Sequence, residues 1–375
     1  MNYIYTMAAG MVRKFIKRFF IVLNSIVALL FLMSCLVPYL NPSTWWFMGF
    51  LGLMVPYLAT LLLLSIFFWL VIKPIVSILP ILTLLVGYKQ LQVLFAVNRN
   101  QTFTEKKLPG KLRVVDWNIR SFEGLSTQKD KKRLDRMSVA ELINAQNADI
   151  ICLQEFNHSN IQDNLGLFSQ KYPYHFFSVD FERKSSGYKA GSIIFSRYPI
   201  IDSIKTRYAG SLGESLISAD ILLNSDTIRV FTTHLQSFRF SKTDYENIDE
   251  IRHRDDKALD ASLNIAQKMK LAFTRRGTQA KTVKEALTES PYPSLICGDF
   301  NDVPNSFTYA HIKGDWQDVF LKTSLGIGRT FTALAPTLRI DYILPDKHFS
   351  IHQFDMVDEG LSDHLMLVAD ISLLK

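Results

Sequence analysis

Ser294-Leu295-Ile296-Cys297-Gly298-Asp299-Phe300-Asn301-Asp302 runs from an apolar strand straight into a cluster of hydrogen-bonding side chains. In a strand that continues through Phe300, a period of two sets Asp299 and Asn301 on one side and Phe300 on the other. One of these positions can then polarise a water while the other holds it or a phosphoryl oxygen. Gly298 admits close approach of a backbone or ligand. A polar turn after a strand is the plainer alternative, so the stretch has to be weighed with its company.

Four other motifs share the form of a β-like run closed by a polar group. Val114-Val115-Asp116-Trp117 leads to Asn118, whose carboxamide can bind a metal-held water or a phosphate oxygen. Ile150-Ile151-Cys152-Leu153-Gln154 leads to Glu155, and an acid at the end of a buried apolar strand is costly unless paired or metal-bound. Val230-Phe231-Thr232-Thr233 leads to His234, which can donate to a phosphate oxygen or a leaving group. Arg339-Ile340-Asp341-Tyr342-Ile343-Leu344 supplies an acid among apolar neighbours, and Ser362-Asp363-His364 follows it. An Asp that orients an imidazole fixes its tautomer and favours its protonated form. Asp363 could equally be a metal ligand. Hard carboxylates, carboxamides and imidazoles are the groups that hold Mg²⁺, position a water and clamp a phosphate. Each motif alone has a structural explanation; five in order, each at a strand end, point to one phosphoester-cleaving site.

Working outward, residues 111–375 alternate strand-like and helix-like runs. Strands are expected at Leu112–Trp117, Asp149–Leu153, Ser192–Phe195, Ser215–Leu223, Ile228–Thr233, Ser294–Cys297, Arg339–Leu344 and Leu365–Leu373. Lys131–Asn147 and Asp255–Thr288 read as helical. Many strands and few helices predict two packed sheets with helices outside, an α/β sandwich. Phe238–Arg254, after His234, is expected to shape the substrate entrance.

The first third differs in kind. Residues 19–72 carry no Asp, Glu, Lys or Arg, a run of 54 residues, too long for one membrane span and suited to two. Asn41-Pro42-Ser43-Thr44 breaks it, and Trp45 and Trp46 follow as headgroup anchors. Helices are expected near Phe19–Tyr39 and Trp46–Ile72, with a third span over Ile75–Val97 if Lys89 snorkels. Residues 1–97 thus form a membrane segment of two to three transmembrane helices, 98–110 a polar linker ending in Pro-Gly, and 111–375 the catalytic domain. Arg13, Lys14, Lys17 and Arg18 place the N-terminus in the cytoplasm by the positive-inside rule, and three spans then put the domain outside it. This is the expectation for an integral protein of a bacterial inner membrane. A lipobox-like Leu32-Met33-Ser34-Cys35 competes, but the apolar segments after Cys35 argue against simple lipoprotein export.

Charge divides the same way. Residues 1–110 hold nine Lys/Arg and one Asp/Glu; residues 111–375 hold 33 and 34, a net of −1. The domain therefore lacks the basic excess usual for gripping long duplex DNA. Three cysteines give no disulfide framework.

Together these motifs resemble the endonuclease/exonuclease/phosphatase (DNase I-like) superfamily over essentially all of 111–375, and Ser196-Arg197-Tyr198-Pro199-Ile200 resembles a common segment of that family. The resemblance implies a four-layered α/β sandwich and dependence on Mg²⁺ or Mn²⁺. Carried over, it makes Glu155 the principal metal ligand with Asn118 beside it and Asp363 as an accessory. Asp299 would align and activate the attacking water, and Asn301 would hold the water and transition state. His234 and His364 would contact the scissile phosphate, with Asp341 orienting His364. The abasic-site endonucleases of the superfamily carry Asp where this chain has Arg120 and Tyr where it has His234, which moves the match toward the DNase I and sphingomyelinase side. The function expected is a membrane-tethered, nuclease-like phosphodiesterase. The alternatives are a phospholipid or sphingomyelin headgroup phosphodiesterase or phosphoinositide phosphatase, and, outside catalysis, a membrane scaffold. The implied partners are a nucleic-acid or lipid-headgroup phosphoester and the bilayer; no protein partner is inferred.

Overall fold

A computed structural model describes residues 2–98, 103–122, 129–211, 213–241, 243–244 and 258–374. Its strands, in chain order, are β1 (Ala96–Val97), β2 (Leu112–Asn118), β3 (Ile150–His158), β4 (Tyr174–Phe177), β5 (Phe181–Arg183), β6 (Tyr188–Ser196) and β7 (Ile200–Arg207). They continue with β8 (Ser215–Leu223), β9 (Asp226–His234), β10 (Ser294–Asp299), β11 (Leu325–Gly326), β12 (Asp341–Pro345), β13 (Phe349–Val357) and β14 (Met366–Leu373). One sheet runs β12-β10-β9-β8-β7. A second runs β13-β14-β2-β3-β6-β4, with β5 also paired to β6, and β1 pairs with β11 in a separate two-stranded sheet.

The two larger sheets face each other, and period two decides what lies between them. Val114, Ile150, Cys152, Val230, Leu295, Cys297, Ile343 and Ala369 fill one shared core. The alternate residues point outward. Val115, Trp117, Ile151 and Leu153 pack under Val139 and Ile143 of the helix Lys129–Ala145, while Phe231 and Ile296 pack under Ala280, Val283 and Leu287 of the helix Ala258–Thr288. Central strands buried on both faces explain why their sequences read as continuous apolar runs. The result is helix, sheet, sheet, helix: the expected four-layered α/β sandwich.

Strands β7 and β13 were not expected from the sequence. Both are edge strands of mixed polarity with many half-exposed residues, and in β13 a bulge between Ile351 and Gln353 breaks the alternation of Phe349 and Ile351 with Phe354 and Met356. Strand β3 does not end at Glu155 as expected but continues to His158. The segment expected as a linker also contacts the sandwich. In its described part, Thr104 and Leu108 donate backbone N–H groups to Gln353 (3.1 Å) and Asp370 (3.1 Å), and the Lys107 ammonium sits 2.8 Å from Asp149.

The N-terminal segment is helical at Asn2–Ser34 and Met48–Ile72, and both are long and apolar enough to cross a membrane. A pair bent by 63°, Pro74–Val86 with Tyr88–Leu94, makes a third span if it acts as one. Leu30, Phe31, Val55, Leu58 and Leu62 pack between the long helices, while Phe15, Leu64, Phe67, Val71 and Val86 point outward. The segment also packs on the sandwich. Gly52 lies so close to the Asn305 carbonyl that a Cβ there would sit 3.2 Å from it. The Asn305 carboxamide donates to the Gln90 carbonyl (2.9 Å), and the Arg339 guanidinium donates to the Val93 carbonyl (3.1 Å).

Candidate active site

The inter-sheet core turns polar at one end, and the same period-two registers carry the change. Along β2 the inward positions run Val114, Asp116, Asn118; along β9, Val230, Thr232, His234; along β10, Leu295, Cys297, Asp299. Parallel pairing brings Asp299 beside His234, and antiparallel pairing brings it beside Asp341.

Glu155 departs from this periodicity. Gln154 already occupies the inward position on β3, donating across the sheets to Thr232 (2.9 Å) and along its own sheet to Asp116 (2.8 Å). A simple strand would then turn Glu155 outward. The register against β6 shifts between Leu153 and Phe156, both of which face the outer core, and Glu155 takes φ +52°. This bulge aims two consecutive side chains at the same side. Asn301 is also placed by local backbone geometry rather than by a pleat. The strand stops at Asp299, and Asn301 adopts φ +53°, correcting the expectation of a strand through Phe300. Its N–H donates to one Asp299 carboxylate oxygen (2.8 Å), and its carboxamide donates to the Leu235 carbonyl (2.9 Å).

Seven of the eight expected residues form one contact network. Asn118 Nδ2 lies 3.0 Å from Asp299 Oδ2 and 3.4 Å from Glu155 Oε1. His234 Nε2 lies 3.6 Å from Asp299 and 3.9 Å from Glu155. His364 Nε2 lies 3.7 Å from Asp299, and its Nδ1 lies 3.0 Å from both oxygens of Asp341. Asp363, the eighth, faces Arg120 at 3.7 Å. The Ser362–His364 turn is pinned to the end of β2: Ser362 Oγ donates to the Asn118 carbonyl (2.8 Å), and Trp117 Nε1 donates to the His364 carbonyl (2.8 Å).

Burial and charge set the protonation states. Burial alone would pull the His364 imidazole down, but Asp341 and Asp299 outweigh it and push the ring up to about 10. Asp299 is pushed up to about 6 by burial and by the Asp341 charge, against the pull of His364, His234 and Asn118. Asp116 is driven well above the carboxylate range, first by burial and then by Asp341. Among the described residues, Asp299, Asp341 and His364 are close enough to share an ion, with candidate ligand atoms within 4.8 Å of one another. A protonated imidazole offers no lone pair, however, so His364 serves there as a cation between two carboxylates.

A cavity of about 540 Å³ opens over these groups. Asn118, Glu155, His234, Asp299 and His364 line its polar side, and Asp341 stands behind His364. Phe238, Arg239 and Phe240 form part of its rim, as expected for the stretch after His234; much of that stretch to Arg254 lies outside the described residues. Sequence reasoning assigned no role to Asp116, Gln154, Trp117 or Ser362, although all four stand inside or next to the motifs. Leu53, from the helix Met48–Ile72, also lines the cavity, and nothing in the sequence signals it.

A four-layered sandwich whose paired strands end in carboxylate, carboxamide and imidazole groups defines a phosphoester hydrolase. The chain belongs to the Endonuclease/Exonuclease/phosphatase family, whose model matches residues 117–364. Residues 17–94 match a separate domain family of unknown function. Among solved structures the chain is similar to an endonuclease/exonuclease/phosphatase from Beutenbergia cavernae, with 19% identity and a TM-score of 0.50 over 72% of each chain. It is similar too to the human Nocturnin catalytic domain, again with 19% identity and a TM-score of 0.50, over 72% of this chain and 97% of that one. No curated protein sequence matches it significantly.

Proposed function

We propose that this chain is a divalent-metal-dependent phosphoester hydrolase, with residues 111–375 as the catalytic domain, 98–110 as a linker and 1–97 as a membrane anchor. The observation that carries this reading is the single network joining Asn118, Glu155, His234, Asp299, Asn301 and the Asp341–His364 pair. Its carboxylates fit a hard cation: Glu155 and Asp299 present oxygens toward one space, while Asn118 turns its amide nitrogen to both and its oxygen accepts from the Arg120 N–H (3.1 Å). Glu155, with Asp363 as an accessory and Asn118 once its carboxamide turns its oxygen inward, would hold Mg²⁺ or Mn²⁺. When bound, the ion supplies neutralisation of phosphate charge and Lewis-acid polarisation.

The protein groups do the rest. Asp299, at about 6, takes the proton from the attacking water near neutral pH. Asn301 holds that water and the transition state. His364, at about 10, brings a positive charge at neutral pH and a donor N–H to the phosphoryl oxygens, and His234 adds a second imidazole. Asp341 keeps His364 protonated and oriented. Water's oxygen joins phosphorus as its proton passes to Asp299, the bond to one ester oxygen breaks, and the departing oxygen takes up a proton from solvent.

The membrane placement rests on helices Asn2–Ser34 and Met48–Ile72, the bent third segment, and the basic cluster at Arg13, Lys14, Lys17 and Arg18. With three spans this puts the domain on the far side of a bacterial inner membrane. Nucleic-acid and lipid-headgroup phosphoesters both suit the chemistry; the route to the site separates them. The test is hydrolysis of bis(p-nitrophenyl) phosphate by the full chain in detergent. Mg²⁺ should be required, and Glu155→Gln or Asp299→Asn should each cost at least about 10²-fold in turnover. Near-wild-type rates in both variants, or turnover unaffected by chelation, would refute it.

A further inference from the structure

The cavity is lined by apolar side chains as well as by its carboxylates, Arg120 and Arg239, and the helix Met48–Ile72 contributes Leu53 to the apolar set. Residues 332–338, Thr-Ala-Leu-Ala-Pro-Thr-Leu, which carry no charge, add to it, as do Phe238, Phe240, Val303, Phe331 and Ile340. Ala333, Leu334 and Leu338 of this loop line the cavity beside Leu53. The loop is fixed at both ends of its reach. Thr332 N–H donates to the Asp363 carbonyl (2.8 Å), and the Phe331 ring lies 4.9 Å from the His364 imidazole. At the other end, Thr337 Oγ1 donates to the Tyr57 hydroxyl of the same membrane-type helix (3.4 Å). The loop thus ties the catalytic histidine directly to the segment that would lie in the bilayer.

The depth of this contact can be estimated. Leu53 is five residues past Met48, roughly 7.5 Å along the helix axis, against a hydrocarbon thickness of about 30 Å. Exposed aromatic side chains flank this level: Tyr39, Trp45, Phe47 and Tyr57 are between 44% and 71% exposed. Such rings favour the headgroup boundary. The cavity therefore joins polar groups suited to a phosphate with apolar side chains that include Phe331 beside His364 and Leu53 of the helix read as a membrane span. A water-soluble diester has no use for those apolar side chains, whereas an acyl or polyprenyl chain does.

We propose that the substrate is the phosphoester of a membrane lipid, reached from the bilayer along Leu53 and the 332–338 loop. This rests on the phosphoester-hydrolase reading above and narrows it to a substrate class. Hydrolysis joins water's oxygen to phosphorus and breaks one P–O ester bond, releasing an alcohol and leaving a phosphate with one fewer ester link.

The test uses the full chain reconstituted with Mg²⁺ in vesicles of phosphatidylethanolamine, phosphatidylglycerol and phosphatidic acid. The same assay is run on their deacylated counterparts (glycerophosphoethanolamine, glycerophosphoglycerol and glycerophosphate), on single-stranded and plasmid DNA, and on bis(p-nitrophenyl) phosphate. We expect at least one vesicle lipid to be cleaved with kcat/KM about 10²-fold above its deacylated form and above DNA. In Leu53→Gln and Leu334→Gln the ratio of lipid to bis(p-nitrophenyl) phosphate turnover should fall about tenfold; reading the ratio within each variant removes the effect of misfolded protein. Equal or faster cleavage of DNA or of the deacylated esters overturns the lipid assignment and leaves the hydrolase standing. So does cleavage of bis(p-nitrophenyl) phosphate with every vesicle lipid intact. Failure on all substrates refutes both.

Discussion

Replacing Asp341 by Asn tests the electrostatics of the site most directly. Asp341 places both carboxylate oxygens 3.0 Å from His364 Nδ1 and is the largest influence raising that imidazole to about 10. The ordinary value is 6.5, so neighbouring charges hold the proton against a burial effect that alone would expel it. An Asn side chain keeps nearly the same shape and an oxygen able to accept from Nδ1, but carries no charge. Asp299 remains to raise the ring through Nε2 at 3.7 Å. The alkaline limb of kcat/KM should therefore drop by roughly two pH units or more, about 1.4 kcal/mol for each unit. The acid limb, governed by Asp299 near 6, should move the other way, toward lower pH, because Asp341 also raises Asp299. The wild-type profile should be a broad bell and the variant's a bell displaced to acid. The assay is kcat/KM for bis(p-nitrophenyl) phosphate between pH 5 and about 10.5 with saturating Mg²⁺. An alkaline limb that stays in place while turnover falls would show that Asp341 acts only by packing, and would refute a charged His364.

The same pair predicts a stability profile. A raised imidazole contributes stability fully below its unfolded value of 6.5 and loses it as pH climbs through about 10, so Tm should decline over that window in the wild type and less in Asp341→Asn. Mn²⁺ binding followed by electron paramagnetic resonance should weaken at least tenfold in Glu155→Gln; unchanged binding would remove Glu155 from the metal site. Gly298 has φ +145°, and a Cβ there would stand 2.1 Å from the Thr233 carbonyl oxygen, so Gly298→Ala should cost about 3 kcal/mol or more in denaturant unfolding. Arg113 and Asp370 are fully buried and paired at 2.6 Å, and Asp370→Ala should cost about 3–5 kcal/mol by stranding the guanidinium; a loss under about 1 kcal/mol would contradict the pairing.

By itself the sequence determined the layers and the chemistry. Apolar runs at β2, β3, β9 and β10 can be buried only between two layers, and each leads to a polar group that the proposed mechanism uses, so sandwich and candidate residues were both legible. The long uncharged run of residues 19–72 likewise announced helices suited to a membrane. Edge strands β7 and β13 escaped notice because one exposed face dilutes their pattern. Only tertiary structure decided the aim of individual side chains. The bulge that turns Glu155 inward beside Gln154 is a register shift against β6, a strand some 40 residues away, and the left-handed turn at Asn301 is fixed by Asp299 and Leu235. The contact of Leu53 with the catalytic cavity is further still from local pattern. A leucine in an apolar helix looks like any other, and it becomes part of the site only because Gly52 lets that helix lie against the Asn305 backbone.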